Sequence, residues 1–141
     1  MHVSPLPNPP VEHIWSHAVF KIQTSEGMVF SDLDVQGVRI RSDGNDVNLV
    51  IAESRPMRVP RGDWANPFRY SRGGEIRDCR FADISVRGEK GGFVGGIHLL
   101  GRSAEESVSG MRFSGIDFFG ETVASTSSCV HVGTFAAAAF E

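Results

Sequence analysis

Four polar side chains, Lys21, Asn48, His98 and His131, occupy one slot in four short apolar phrases, FKIQ (20–23), VNLV (47–50), IHLL (97–100) and VHVG (130–133). An ammonium, a carboxamide and two imidazoles in a row can hydrogen-bond to the carboxylates and hydroxyls of a ligand, and imidazole changes charge near neutral pH. If the phrases are neighbouring strands, the two histidines stack about 4.8 Å apart. The plainer reading is that outward positions of a sheet are simply polar. The row contains no carboxylate or cysteine, so neither a metal nor another cofactor is expected there.

Two other constellations carry chemistry. RSDGNDVNL sets Asp43 and Asp46 three residues apart ahead of an apolar run, a pair that could divide acid and base work. Asp-Gly-Asn-Asp also makes a turn, because its side chains bond nearby backbone and glycine accepts positive φ. From Arg55 to Arg72 the chain reads RPMRVPRGDWANPFRYSR, placing Arg61 and Arg69 among Trp64, Phe68 and Tyr70. Guanidinium groups fork onto carboxylates and aromatic faces offer flat platforms, which suits an acidic polysaccharide or a protein surface. The same residues also pack across one another within a loop.

The elements that must position these groups are announced by repetition. FSDLDVQG (30–37), FADISVRG (81–88) and FSGIDFFG (113–120) each open on an aromatic, carry a branched apolar residue three positions later and another two further on, and close on glycine. Alternation of Leu33 with Val35, Ile84 with Val86 and Ile116 with Phe118 is the period of a half-buried strand. The fainter FKIQ-like phrases fall between the copies, so two kinds of strand alternate in fixed order, as in a solenoid whose turns each carry several strands. Met28, Cys79 and Met111 precede the aromatics and form an expected inward ladder. Gly37, Gly88 and Gly120 stand where the chain turns a corner. An antiparallel sandwich with similar hairpins is the alternative. The expected fold is all-β, a right-handed parallel β-helix of three to four short coils.

The run from Phe20 to Asp46, with IRDCRFADISVRG and VSGMRFSGIDFFG, resembles the later coils of pectin-lyase-like β-helices, especially the polygalacturonase-type glycoside hydrolases. That group carries an Arg-Ile-Lys element, a glycine and a coil signature. FKIQTSEGMVFSDLDV has the same layout, with Lys21 in the arginine slot and Gln23 in the lysine slot. The resemblance spans roughly residues 18 to 132 and implies a fold more than an activity. It departs where catalysis resides. The family's catalytic carboxylates and Gly-His-Gly element precede the Arg-Ile-Lys coil, whereas MHVSPLPNPPVEHIWSHAV holds one acid, Glu12, and its His13 and His17 are not between glycines. Asp43 and Asp46 superficially match the family's Asn-Thr-Asp-Gly-Ile-Asp element. Hydrolysis needs carboxyls about 5 Å apart for retention or roughly 6.5–9.5 Å for inversion, and no second acidic pair follows at the matching place.

At 141 residues the chain reads as one β-helix domain, 1–141, with an extended arm over 1–13, a basic and aromatic loop over 53–74, and an apolar tail over 134–141 that could cap an open coil. A formal charge of −3 gives no reason to expect nucleic acid or a membrane surface as partner. No apolar run is long enough to span a bilayer, and no secretion signal is evident, so a cytoplasmic location is the default. Cys79 and Cys129 are expected to be buried, reduced thiols.

Few coils leave strand edges open at both ends, and solenoids need caps. Self-association is therefore expected, with a homo-oligomer as the partner state. The functional expectation is a noncatalytic or truncated module that binds an acidic carbohydrate through Lys21, Gln23, Asn48, His98 and His131 and through Arg61, Trp64, Arg69 and Tyr70. The alternative is a small glycoside hydrolase or lyase acting on a pectin-like polysaccharide with Asp43, Asp46 and Lys21.

Overall fold

A computed structural model describes residues 18–44, 48–56, 72–90 and 96–141, and among them every regular element is a β-strand. The expected 1–13 arm, Asp46, and Arg61, Trp64, Arg69 and Tyr70 lie outside the described residues. The chain makes four successive passes. The first contributes β1 (Ala18–Thr24), β2 (Val29–Ser31) and β3 (Asp34–Asp43). The second contributes β4 (Asn48–Ser54), β5 (Glu75–Arg77) and β6 (Arg80–Glu89). The third contributes β7 (Ile97–Leu100) and the long β8 (Val108–Phe118), followed by the short β9 (Glu121–Thr122). The fourth contributes β10 (Val130–Val132) and β11 (Ala136–Phe140).

Each strand pairs in parallel with its equivalent in the adjoining pass. One sheet has the order β1-β4-β7-β10. The other joins β2 to β5 and β3 to β6, and both β5 and β6 to β8, with β11 on the far side of β8. The exception is β9, which folds back antiparallel on the end of β8.

The spacing of three between apolar residues, odd for a strand, has a structural cause. Along β8 the inward residues are Val108, Met111, Phe113, Ile116 and Phe118, all buried. Between the first pair lies Gly110 at φ 64°, and between Phe113 and Ile116 lies Gly115 at φ 60°. A residue in the left-handed region inserts an extra position and restores the inward phase. The second pass does the same with Asp78 (φ 56°) and Asp83 (φ 54°), keeping Ile76, Cys79, Phe81, Ile84 and Val86 inward. The first pass uses Asp32 (φ 66°) and Gly37 (φ 71°). Aspartate tolerates this conformation better than most residues with a Cβ.

Register corrects the alignment of the first repeat. Val35, not Phe30, pairs with Phe81, and Phe30 pairs with Ile76. The equivalents of Ile76–Gly88 and Val108–Gly120 are therefore residues 30–42, FSDLDVQGVRIRS, and the matching phrase begins five residues later than its aromatic suggests. Leu33 takes the ladder position expected of Met28, which is 64% exposed. Gly37, Gly88 and Gly120 all have positive φ, but Gly37 is level with Asp83 whereas Gly88 pairs with Ser42. The tail over 134–141 supplies β11 as a further strand.

The core follows from these rungs. Phe81 stacks on Phe113 and Phe113 on Phe140, with centroids 5.4 and 5.0 Å apart. Cys79 and Cys129 are free and buried. Burial raises the pKa of both thiols, so neither is a poised nucleophile.

Candidate functional site

The first sheet sets Lys21, Ile51, His98 and His131 in one row. The expected row had Asn48 in the place of Ile51. Asn48 instead pairs with Ala18, three residues back, because Val50 and not Val47 is level with Ile97. Both Leu49 N–H and Val50 N–H donate to Gly96 O, at 2.7 and 2.9 Å, a bulged arrangement at the start of β4. Ile51 therefore interrupts the polar row, leaving exposed Lys21 apart from the histidines.

Asn48 nevertheless meets His98. Its Oδ1 lies 2.8 Å from His98 Nε2, so the imidazole donates from Nε2 to the amide oxygen. Both residues are 1% exposed. The His98 and His131 rings stack with centroids 4.7 Å apart and planes 3° apart, as the one-rung spacing requires. Burial, and secondarily His131, lowers the His98 pKa to about 4. His98 is therefore a neutral, hydrogen-bonded part of the packing at neutral pH, while His131 is the exposed member of the pair. Gln23 Nε2 donates to Glu53 Oε1 at 2.8 Å across β1 and β4, and Arg55 Nη1 lies 3.6 Å from the same carboxylate oxygen.

A groove of about 320 Å³ opens on the other sheet, lined by Asp32, Leu33, Asp34, Asp78, Cys79, Arg80, Gly110 and Arg112. Its construction repeats from pass to pass. Asp32, Asp78 and Gly110 are the left-handed residues of successive passes, and Leu33 and Cys79 follow the first two into the core. Asp34, Arg80 and Arg112 then stand side by side in register. Two arginines directly opposite each other repel, and acids flank them: Arg80 Nη1 is 3.5 Å from Asp34 Oδ1, and Arg112 Nη2 is 3.6 Å from Glu141 Oε2. Carboxylates that accept and guanidinium groups that donate can together hold a hydroxyl-rich ligand. Among the described residues in the groove no nucleophile is paired with a base, because Cys79 Sγ donates to the Arg77 carbonyl at 3.5 Å.

Asp43 ends β3 and is exposed, level with exposed Glu89 of β6. Sequence reading missed this partner, which lies across adjacent strands rather than nearby in the chain. It also missed the groove, whose signal was the repeated Asp at two equivalent positions, Asp32 and Asp78. Among the described residues no three His, Cys, Asp or Glu side chains gather as a metal site requires.

The chain matches no protein-family model, no curated protein and no solved structure. The all-β, parallel pairing is compatible with a β-helix.

Proposed function

We propose that this chain is a noncatalytic module built as a right-handed parallel β-helix, related in architecture to pectin-lyase-like proteins, that self-associates and binds a carbohydrate along its side. The observation that carries the binding role is the groove made from equivalent positions of successive passes, with Asp32 and Asp78 at one level and Asp34, Arg80 and Arg112 at the next. Its polar groups recur along the stacking direction at the strand spacing of about 4.8 Å, which suits an extended polymer better than a compact ligand.

Three aspartates against two arginines give the groove a formal charge of −1. A chain of hydroxyl-bearing sugars fits that balance better than a polyuronate. An acidic polysaccharide would instead engage the arginines of 53–74. The exposed side chains of the first and last passes, Met28, Val29 and Phe30 at one end and Val132 and Phe135 at the other, support self-association. The hydrolase alternative rests on Asp43 and Asp46.

The test is amide chemical-shift mapping during titration with neutral oligosaccharides and, separately, with oligogalacturonates, alongside a reducing-end assay. Shifts centred on Asp32, Asp78, Arg80 and Arg112, lost in Arg112→Ala and without new reducing ends, are expected. Cleavage abolished by Asp43→Asn or Asp46→Asn would replace this reading with the hydrolase.

A further inference from the structure

Strand β11 has one paired edge. It bonds to β8, and among the described residues no strand pairs with its other side. From Thr134 to Phe140 the sequence TFAAAAF has no charge and no proline. At the opposite boundary of that sheet β2 is a three-residue uncharged strand, but β3 beside it is built differently: Asp34, Arg39, Arg41 and Asp43 stud it, and Arg39 Nη2 binds Asp83 Oδ1 at 2.9 Å. Charges on an edge strand discourage pairing with another chain, and their absence permits it. Phe135, 53% exposed, immediately precedes β11, and Val132, 43% exposed, ends β10, the last strand of the other sheet.

We propose that this edge is the self-association surface, and that two copies of the chain join there, β11 against β11, antiparallel about a two-fold axis centred near Ala138. The proposal rests on the self-associating reading above and assigns it a strand and a symmetry. A two-fold axis makes one patch complementary to itself and closes the assembly at two chains. In this register Phe140 of one copy faces Ala136 of the other, a large side chain against a small one. Ala137 faces Ala139, so the two chains meet through methyl groups and a close approach is unobstructed. Phe135 faces Glu141 of the second copy, so the two carboxylates stand at opposite ends of the ribbon and no like charges meet.

Head-to-tail stacking makes a different pattern. It would lay β11 on residues 30–35 of the next copy, which carry Asp32 and Asp34, and His131 on Lys21, and it has no operator that closes, so filaments would grow.

The pairing of Phe135 with Glu141 supplies the test. The full chain is measured by light scattering behind size exclusion over a range of concentrations, as wild type, as Phe135→Asp and as Phe135→Asp with Glu141→Lys. Phe135 is exposed and sits at φ 50°, a conformation that suits aspartate, so the fold should survive, as circular dichroism will verify. The expected wild-type mass is twice the 15.3 kDa of one chain, falling to a single chain in Phe135→Asp and returning to two in the double variant. A wild type that stays monomeric overturns both the self-associating reading and this one. An oligomer that persists in Phe135→Asp, or one not restored by Glu141→Lys, overturns only the β11 pairing. Mass that grows without limit overturns the two-fold arrangement.

Discussion

Phe81 and Phe113 lie one above the other, ring centroids 5.4 Å apart and planes within 9°, although 32 positions separate them in the chain. Parallel register between β6 and β8 places them so, and Phe140 of β11 extends the stack from Phe113. Three aromatics from three passes thus share one column, two of them within the buried core and Phe140 packed against it.

Phe113 occupies the middle of that column and is fully buried, whereas Phe140 is half-buried with Phe113 as its stacking neighbour. Phe113→Ala should cost about 3–5 kcal/mol of unfolding free energy, a large share of a typical domain's stability. Phe140→Ala should cost clearly less. Urea denaturation of the two variants checks the order, and equal costs would mean the last strand is packed as deeply as the third pass.

Gly115 tests the left-handed positions. A Cβ placed there meets nothing closer than Asp83 N at 3.5 Å, so Gly115→Ala has room and pays only for its φ of 60°. The expected loss is about 1–2 kcal/mol. Gly88→Ala combines φ 110° with a collision against the Ser42 backbone and should cost more. Thermal melts of both variants decide this. A neutral Gly115→Ala would contradict a strained position.

His98 gives a pH dependence with a definite sign. Its folded pKa, about 4, lies below the unfolded value near 6.5, so acid protonates the unfolded chain first. The stabilisation, about 3 kcal/mol in all, is complete above pH 6.5, declines as pH falls below it, and is lost by about pH 4. Carboxylates titrate in the lower part of this window too, so the comparison is with His98→Gln. The wild type should lose more stability than the variant between pH 6.5 and 4.5 in denaturant titrations. Parallel curves would mean that His98 is hydrated in the folded protein.

Ser54 is buried and its hydroxyl has no hydrogen-bond partner among the described residues, as is true of Thr24, its neighbour across β1 and β4. Removing an unpaired buried hydroxyl recovers a desolvation cost of about 1–3 kcal/mol, less the packing of one oxygen. Ser54→Ala should therefore be neutral or stabilising by chemical denaturation. A loss above about 1 kcal/mol would reveal a hydrogen bond, for example to a trapped water.

The strand class and the alternation of two strand types were legible in the sequence because apolar spacing reports burial directly. The stacking of His98 on His131 was legible too, since equal slots in neighbouring strands must lie one rung apart. The first repeat misled because Phe30 looks like Phe81, while register follows the whole run of inward residues, five of which agree only when Val35 is matched to Phe81. Asn48 was misplaced for a related reason: the bulge at Leu49 and Val50 shifts the strand relative to its phrase. The groove was hidden because its aspartates read as turn residues. Left-handed backbone at Asp32 and Asp78 serves the core, and the open space beside it is a consequence that no local pattern encodes.

The proposed module depends on passes that stack in this register, and ring-to-ring nuclear Overhauser contacts among selectively labelled phenylalanines measure it most directly. Contacts from Phe81 to Phe113 and from Phe113 to Phe140, with none from Phe81 to Phe140, are the expected result. An absent Phe81–Phe113 contact, or Phe30 in place of Phe81 beside Phe113, would contradict the stacked architecture and with it the groove.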